Sequence, residues 1–577
     1  MTKSNYQIIH DILLSKGFKR CKSNNYGNHC YQANLLINEK EFGVEFCFSS
    51  VDFIDLPIIR VISWPKGIAS CLPHLEENGK LCYLDHEFIY LDRYDVFNSI
   101  HTILDSLNNL LTQYASSDKK NLQEDYADEF TAYWHGEYNT FVRSWEEKTT
   151  ISLFERKSLS NQNLINECVV HDSIEQLEYW MKTRNVTKKE KFISFSNVIS
   201  IELKNPSVIP INTIWPPKSI NELLGWLVKI EHRAAQSLMY KLEKILSNKK
   251  SVFIIISTFS GHVGAYVTFN KTVIEQLRRK KNRKNKFKKK LYDIFCGRYA
   301  AKSFKRYSVE DASDKRITSR NQLTEFSLIG KKIAIIGCGT VGGYAAHLLS
   351  QLGVGIKNIN NGCLDLYDND LLLADNIGRH ILNSSYIMDN KALATAHYVR
   401  SQSYSEDLNI NGFNEKIDPS QLKKWKKYDI IIDLTGNEAF STAFNHYIHK
   451  KEQNIHVLYA WIVLGGKGVR SLLDDFTGAC YRCLRVENEK GITERFKLLT
   501  SSSKPPEPIT RQCGSAYFPY ASSASVSCAG LVQQTIIDYF SDNSYPRFRH
   551  LSLTSDIMHT KHSNPKKLKE CSVCSNI

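Results

Sequence analysis

No window of the 577-residue sequence holds the roughly 18 uncharged apolar residues that a membrane span requires. A secretion signal is missing as well. The N-terminal stretch MTKSNYQIIHDILLSKGF reads as an amphipathic helix, and Asp11 interrupts what would be the apolar core of such a signal. The expected location is the cytoplasm. There is no internal repeat of fixed period, and the cysteine count is not even. Fifteen cysteines spread over a long chain argue against a secreted disulfide scaffold and for reduced thiols with metal or catalytic roles. Aromatic residues are scarce where they would matter for single-stranded nucleic acid. Lys or Arg fill ten of the thirteen positions from Arg278 to Lys290, and Phe287 is the only aromatic among them, so stacking platforms are lacking. The run reads as a solvated linker, because blocks of like charge repel. Binding of nucleic acid or of an acidic partner is the alternative, since the net charge is +15.

What is present is ordinary for a globular protein: 42% hydrophobic and 23% charged residues. At roughly 150 residues per domain, the length suggests three or four units. Residues 1–147 begin with the amphipathic helix. Three alternating runs follow, from Tyr31, Glu41 and Leu56, like an antiparallel meander. A loop and a helical pattern from about Tyr94 to Tyr114 complete this α+β segment. Residues 148–310 are mixed, with a strand-like SVFIIIS from Ser251 and the basic run near the end. From 311 to 577 strands and helices alternate, which predicts an α/β domain with a parallel-rich sheet.

KKIAIIGCGTVGGYAAHLLSQLG is a strand, a glycine-rich turn and a helix, with Gly337, Gly339 and Gly342 in G-x-G-x-x-G order. Such glycines let phosphate approach backbone N–H groups at the positive helix end. Dehydrogenases share the pattern, so its surroundings decide the nucleotide. The second strand, CLDLYDND, ends in Asp368 and Asp370, and an acidic residue there suits a ribose hydroxyl pair. Asn376 and Arg379 follow in ADNIGRH, Lys391 in DNKALATAHYVR, and Asp433 closes YDIIIDLTGN. Adenylation of a carboxylate needs such a set. Cations must neutralise the developing phosphate charge, and a carboxylate must hold Mg²⁺. Hydride transfer needs no such cluster.

Two C-x-x-C pairs follow, Cys480 with Cys483 and Cys571 with Cys574. Four thiolates at ~2.3 Å make a closed, structural zinc site; two unrelated cysteine pairs are the alternative. Cys513 lies after the polar loop TSSSKPPEPITRQ, where a reactive thiol fits and Arg511 could lower its pKa. Cys528, in a small-residue helix pattern, and Cys338, in the glycine turn, read as packing.

From Arg320 onward the chain resembles the ThiF/MoeB/ubiquitin-activating-enzyme superfamily. GCGTVG, LYDND, NIGR, Lys391, DLTGN, CYRCL, a cysteine before a helix and a final CSVC stand in that family's order. The resemblance implies that Asp368 holds ribose, that Arg379 and Lys391 hold the phosphates of ATP, and that Asp433 holds Mg²⁺. Arg320 matches the arginine that members supply across a dimer interface, and Cys513 sits in the slot of the catalytic cysteine. The insertion KNINNG lengthens the first helix-to-strand connection, which leaves Asp368 and Asp370 both in play for the ribose.

The first 147 residues resemble the ubiquitin-conjugating enzyme fold. In LPHLEENGKLCYLD, Asn78, Gly79 and Cys82 match the N-G-x-x-C spacing before that family's catalytic cysteine, and Cys71 is the nearest competitor. Pro73 falls where the family's His-Pro-Asn proline falls. His74 takes the asparagine's place, where it could donate a hydrogen bond to an oxyanion or act as a base. A chain with both halves is similar to the CD-NTase-associated conjugation proteins of bacterial CBASS anti-phage systems. That resemblance implies that a cGAS-like nucleotidyltransferase supplies the C-terminus to be activated. It also implies thioester transfer from Cys513 to Cys82, a lysine-bearing target, and a homodimer. Two rival readings are an activator of a sulfur-carrier protein, in which Cys82 is idle, and a nucleic-acid-binding module built on the basic run.

Overall fold

A computed structural model describes residues 3–22, 24–66, 68, 72–76, 78–84, 89–116, 127, 129–146, 149–157, 164–184, 186, 193–195, 198–205, 215–246, 248–282, 291–321, 327–357, 360–451, 454–488, 491–499, 506–510, 516–541 and 545–575. The chain divides into two units, Met1–Ala312 and Ser313–Ile577. Among the described residues no helix is long and apolar enough to cross a membrane.

The first unit opens with helix α1 (Asn5–Ser15), started by a capping box in which Ser4 and Gln7 satisfy each other's backbone N–H groups. Its buried stripe of Ile9, Ile12 and Leu13 faces an antiparallel sheet, β1 (Lys19–Cys21), β2 (His29–Ile37), β3 (Lys40–Phe48) and β4 (Ile58–Ser63), in that order. Asn38 and Glu39 both take positive φ, 48° and 64°, as a two-residue hairpin between β2 and β3 demands. The three-residue β1 is too short to stand out in sequence, so the expected three-strand meander has a fourth strand. Helix α2 (Val96–Ala115) closes this core with Ile100, Ile103, Leu107 and Leu111, at helical spacing.

The same unit contains an eight-stranded sheet. Its strands are β5 (Tyr138–Val142), β6 (Thr150–Lys157), β7 (Leu164–His171), β8 (Ile193–Phe195), β9 (Val198–Glu202), β10 (Ser251–Thr258), β11 (Gly261–Phe269) and β12 (Ala301–Asp311). They lie in the order β8-β6-β7-β5-β12-β11-β10-β9. Helix α3 (Ile174–Thr183) follows β7. Helices α4 (Ile220–Ile230), α5 (His232–Leu246), α6 (Lys271–Asn282) and α7 (Leu291–Phe295) belong with the core built on Ile254, Ile256 and Val267. A 3₁₀ turn, Phe130–Trp134, joins that core through Phe130 and Trp134. The basic run from 283 to 290 lies outside the described residues.

The second unit starts with helix α8 (Asp314–Arg320) and is built on a seven-stranded sheet. Strands β13 (Lys332–Ile336), β14 (Cys363–Tyr367), β15 (Ile410–Phe413), β16 (Ile430–Asp433) and β17 (Val457–Val463) run parallel. β18 (Gly468–Asp474) and, at the edge, β23 (Phe548–Ser552) are antiparallel. Helices α9 (Thr340–Gln351), α10 (Lys391–Gln402), α11 (Glu438–Lys451) and α12 (Ser522–Phe540) accompany the sheet. Two hairpins, β19 (Arg485–Asn488) with β20 (Gly491–Glu494) and β21 (Ile509–Thr510) with β22 (Ala516–Tyr517), lie between β18 and α12. The order β15-β14-β13-β16-β17 puts the direction reversal at β13, and crevices for ligands form at such switch points.

Candidate active site

Register brings the predicted nucleotide residues to one edge of the second unit's sheet. Ile336 pairs with Tyr367 on one side and with Asp433 on the other, so Gly337, Asp368 and Asp433 all emerge at the carboxyl ends. Each glycine of the turn has a distinct reason. Gly337 sits at φ 92°, and a Cβ there would meet Leu434 and Thr435 backbone at 2.8 Å. A Cβ on Gly342 would lie 1.9 Å from the Gly337 carbonyl oxygen, which locks helix α9 against the turn. Gly339 faces open space and is the N-cap of α9 with no side chain to satisfy the first N–H groups. An anion is the natural partner for those groups.

Asp368 accepts the Cys338 N–H at 2.7 Å and the Asp370 N–H at 2.8 Å, so it faces the glycine turn. Asp370 instead forms an ion pair with Lys391 at 3.1 Å. The Asn376 side chain folds back to accept the Leu373 N–H, and Arg379 donates to the Asp375 carbonyl. The Arg379 guanidinium also lies 4.9 Å from the ring centre of Tyr520, whose hydroxyl is 3.0 Å from Thr340 Oγ1. Tyr520 stands two residues before α12 and was invisible to motif reading. It links the arginine to the first residue of α9. His380 was also missed. Its Nδ1 accepts the Leu382 N–H, so Nε2 carries the proton and donates to the Cys338 carbonyl at 2.8 Å. Burial holds its pKa below the ordinary histidine value and keeps it neutral in that role.

On the other side of β13 a cavity of about 460 Å³ opens, lined by Gly339, Thr340, Asp433, Tyr481, Arg485 and Tyr520 among others. Asp368, Asn376, Arg379 and Lys391 flank the glycine turn outside this cavity. Asp433 is 2% exposed. One of its oxygens accepts the Thr435 N–H and hydroxyl, the other the Ser441 hydroxyl at 2.6 Å. Burial pushes its pKa up against those hydrogen bonds. A carboxylate with hydroxyl oxygens beside it is the kind of hard donor set that an oxygen-seeking dication takes, so the donor chemistry fits Mg²⁺. Arg485 bridges two acids of the same cavity, Glu438 at 2.8 Å and Glu494 at 3.6 Å. Arg320 ends helix α8, exposed, and does not line the cavity. Cys513 and Arg511 lie outside the described residues.

The four cysteines expected to bind zinc come together in the second unit, all buried, with their sulfurs within 4.8 Å of one another. Cys480 lies 3.8 Å from Cys483 and 3.7 Å from Cys571, and Cys483 lies 3.4 Å from Cys574. A tetrahedron with metal–sulfur bonds of ~2.3 Å has edges of roughly 3.8 Å. A disulfide would need about 2.05 Å. The cluster therefore fits a tetrahedral metal ion, and the Leu568 N–H donates to Cys483 Sγ from the surrounding chain. Cys338 and Cys528 are fully buried, as packing residues are.

In the first unit Cys82 is exposed. The loop before it zips onto β4, with Val61 N–H to Gly79 carbonyl and Leu81 N–H to Ile59 carbonyl, each 2.8 Å. Gly79 takes φ 83°, and a Cβ there would meet the Val61 carbonyl oxygen at 2.6 Å, which explains the glycine of N-G-x-x-C. Arg60 clamps the Asn78 carbonyl with two N–H groups. Tyr114 of α2 donates to the carbonyl of the buried Pro73. His74 follows at φ 58°, and its carbonyl accepts the Cys82 N–H at 2.9 Å. Cys82 stands at a groove of about 530 Å³ lined by Tyr26, Phe48, Ile54, Leu56 and Leu84. Cys71 lies outside the described residues. The residue that sequence reading missed here is Glu129. Its carboxylate lies 2.9 Å from His74 Nδ1 and also accepts from Tyr133.

Comparisons with known proteins agree with this division. Residues 324–574 match the ThiF family, and residues 16–142 match Prokaryotic E2 family B. The chain is 29% identical over 561 residues to the ATP-dependent ubiquitin transferase-like protein Cap2 of Escherichia coli (strain TW11681), covering 92% of each. A protein of the same description from Pseudomonas aeruginosa (strain BWHPSA011 / Pa011) is 28% identical over 536 residues, covering 91% of this chain and 90% of the relative. Among solved structures, that of E. coli MccB with ATP aligns over 43% of this chain and 68% of its own, at 19% identity and a TM-score of 0.32. At that level no residue role is carried across. The chain thus carries a region that matches Prokaryotic E2 family B ahead of one that matches the ThiF family, and it is similar over nearly its whole length to ATP-dependent ubiquitin transferase-like proteins.

Proposed function

We propose that this chain is an ATP-dependent conjugating enzyme that activates a protein's C-terminal carboxylate and passes it through two of its own cysteines to a lysine. The observation that carries the reading is the meeting, at the ends of β13 and β16, of an uncapped helix N-terminus with a cavity holding Asp433. A phosphate chain lies on the first and a carboxylate tail enters the second. Asp368 holds ribose, Arg379 and Lys391 neutralise phosphate charge, Asn376 braces their loop, and Arg320 is supplied across a homodimer. Asp433 would hold Mg²⁺, which offsets negative charge during attack. The four-cysteine cluster would hold zinc, fixing the tail of the chain.

The tail's carboxylate attacks the α-phosphate and pyrophosphate leaves. The Cys513 thiolate displaces AMP, Cys82 takes the acyl group by thioester exchange, and a lysine amine then forms the amide. Dividing amide synthesis this way replaces one hard step with several acyl transfers. The domain boundaries proposed are 1–147 for the conjugating part, 148–310 for the middle and 311–577 for the activating part. The modifier proposed is a cGAS-like nucleotidyltransferase, as in anti-phage signalling in the cytoplasm. A non-reducing gel of the chain with Mg·ATP and that nucleotidyltransferase tests the relay. The expected result is a thiol-sensitive adduct that is lost in Cys513→Ala and accumulates on Cys513 in Cys82→Ala. ATP consumption on a small acceptor without any adduct would turn the assignment toward sulfur-carrier activation.

A further inference from the structure

The surroundings of His74 are unlike those of a lone loop histidine. It is held at four points. Its Nδ1 lies 2.9 Å from Glu129 Oε1. Its backbone N–H is donated to the Tyr133 hydroxyl at 2.5 Å and to Glu129 Oε2 at 3.2 Å. Its carbonyl accepts from Cys82 at 2.9 Å. Its φ of 58° is a left-handed conformation that a non-glycine residue adopts only when its surroundings hold it there. Glu129 and Tyr133 come from the 3₁₀ turn that is rooted in the large-sheet core by Phe130 and Trp134. A well-packed element therefore aims a carboxylate at a histidine one backbone hydrogen bond from the exposed thiol.

We infer that Glu129 is a positioning residue: it holds the His74 imidazole, through Nδ1, as the acceptor of the proton released when an amine discharges the Cys82 thioester. This rests on the reading that Cys82 carries the acyl group. Burial works to raise the Glu129 pKa, but hydrogen bonds from His74 and Tyr133 outweigh it and hold the group below its ordinary value. Glu129 is thus an anion with no proton to give, so Nδ1 carries the hydrogen and Nε2 is the basic nitrogen. The other titratable groups on the elements around His74, among the described residues, are the ion-paired Glu76 and Lys80 with Cys82 and Tyr83 on its own loop, Tyr133 on the 3₁₀ turn and Tyr114 beneath Pro73. Burial raises Tyr83 and Tyr133 well above ordinary values, so neither competes as a base near neutrality, and the Tyr114 hydroxyl is committed to the Pro73 carbonyl.

The step balances as follows. The lysine ammonium gives one proton to His74 Nε2, and the neutral amine nitrogen then attacks the thioester carbonyl carbon as the C–N bond forms. The C–S bond breaks and its electron pair leaves with Cys82 as thiolate. The second surplus proton on nitrogen passes to that thiolate. A lysine has an ordinary pKa of ~10.4 and arrives as ammonium, so a positioned base near neutrality accelerates the transfer. An asparagine cannot take that proton.

The test is single-turnover discharge of the Cys82 adduct, preformed on the full chain with Mg·ATP and the nucleotidyltransferase, then stripped of ATP. Free lysine is the acceptor, between pH 6 and 9.5, for wild type, Glu129→Gln and Glu129→Asp. Hydroxylamine, already neutral at pH 7, is the second acceptor. The expected result is that Glu129→Gln slows discharge to lysine about tenfold or more at pH 7, with the inflection of its pH profile lowered. Glu129→Asp recovers part of the rate, and hydroxylamine discharges alike in all three. Equal rates and profiles on lysine would overturn the inference, as would equal slowing with both acceptors, which marks a merely structural contact. Wild type forming no adduct on Cys82 would instead sink the relay itself.

Discussion

At the scale of residues, the glycine turn is the most constrained place in the chain. Gly342→Ala puts a methyl 1.9 Å from the Gly337 carbonyl oxygen, where neither backbone can yield without moving α9. We expect a loss of about 1–3 kcal/mol in the stability of the second unit, typical of overpacking, together with loss of ATP consumption. Calorimetry and a pyrophosphate-release assay would check both. Retained ATP turnover would mean that the turn tolerates a shift the geometry forbids. The spacing of these glycines, and of Asn78, Gly79 and Cys82, was legible in sequence because each is a local backbone requirement. Glu129 was not legible. It meets His74 across 55 positions of chain, and a single acid before an aromatic turn carries no local signal. Tyr520, tied to both Thr340 and Arg379, was hidden for the same reason.

At the scale of elements, helix α9 is left without a cap. Gly339 has extended dihedrals, φ −71° and ψ −159°, suited to a capping residue, and a side chain there meets nothing within 4 Å. Gly339→Asp supplies both a cap and a favourable charge, worth roughly 0.5 kcal/mol to the empty protein. The same carboxylate occupies the place of a phosphate, so ATP affinity is expected to fall more than tenfold. A nucleotide-binding titration with parallel thermal melts reads both, and unchanged affinity would remove the helix end from the phosphate site. The sulfur cluster acts on another pair of elements, the 3₁₀ turn Tyr481–Leu484 and the C-terminal tail. Cys571→Ser is expected to reduce bound zinc from one equivalent to a small fraction, read by metal analysis after desalting. Full zinc content in that variant would contradict the four-sulfur site. Strand identity and the parallel class of the second sheet followed from the alternating pattern. The order of the eight-stranded sheet did not, because β5 joins β7 and β12 through pairings that no local periodicity encodes.

At the scale of the molecule, the two units have separate cores, one around Leu223 and Ile254 with its neighbour around Phe46, the other around Ile335 and Leu458. Only the second unit contains the sulfur cluster. A strong zinc chelator is expected to lower the melting transition of Ser313–Ile577 by several degrees and to leave that of Met1–Ala312 in place. Differential scanning calorimetry on the whole chain, with and without chelator, distinguishes this from a uniform shift. A shift of both transitions together would show that the cores unfold as one.

Cys480 and Cys483 bracket Tyr481, and Arg485 follows two positions on, so the turn pinned by the sulfurs also presents two side chains to the cavity. The backbone under those side chains is set by the four thiols rather than by what occupies the cavity. Such an arrangement is open to evolution and to engineering. Position 485, only partly buried, can be exchanged to suit a different occupant while the frame that presents it stays where it is, so a change of client need not cost the fold.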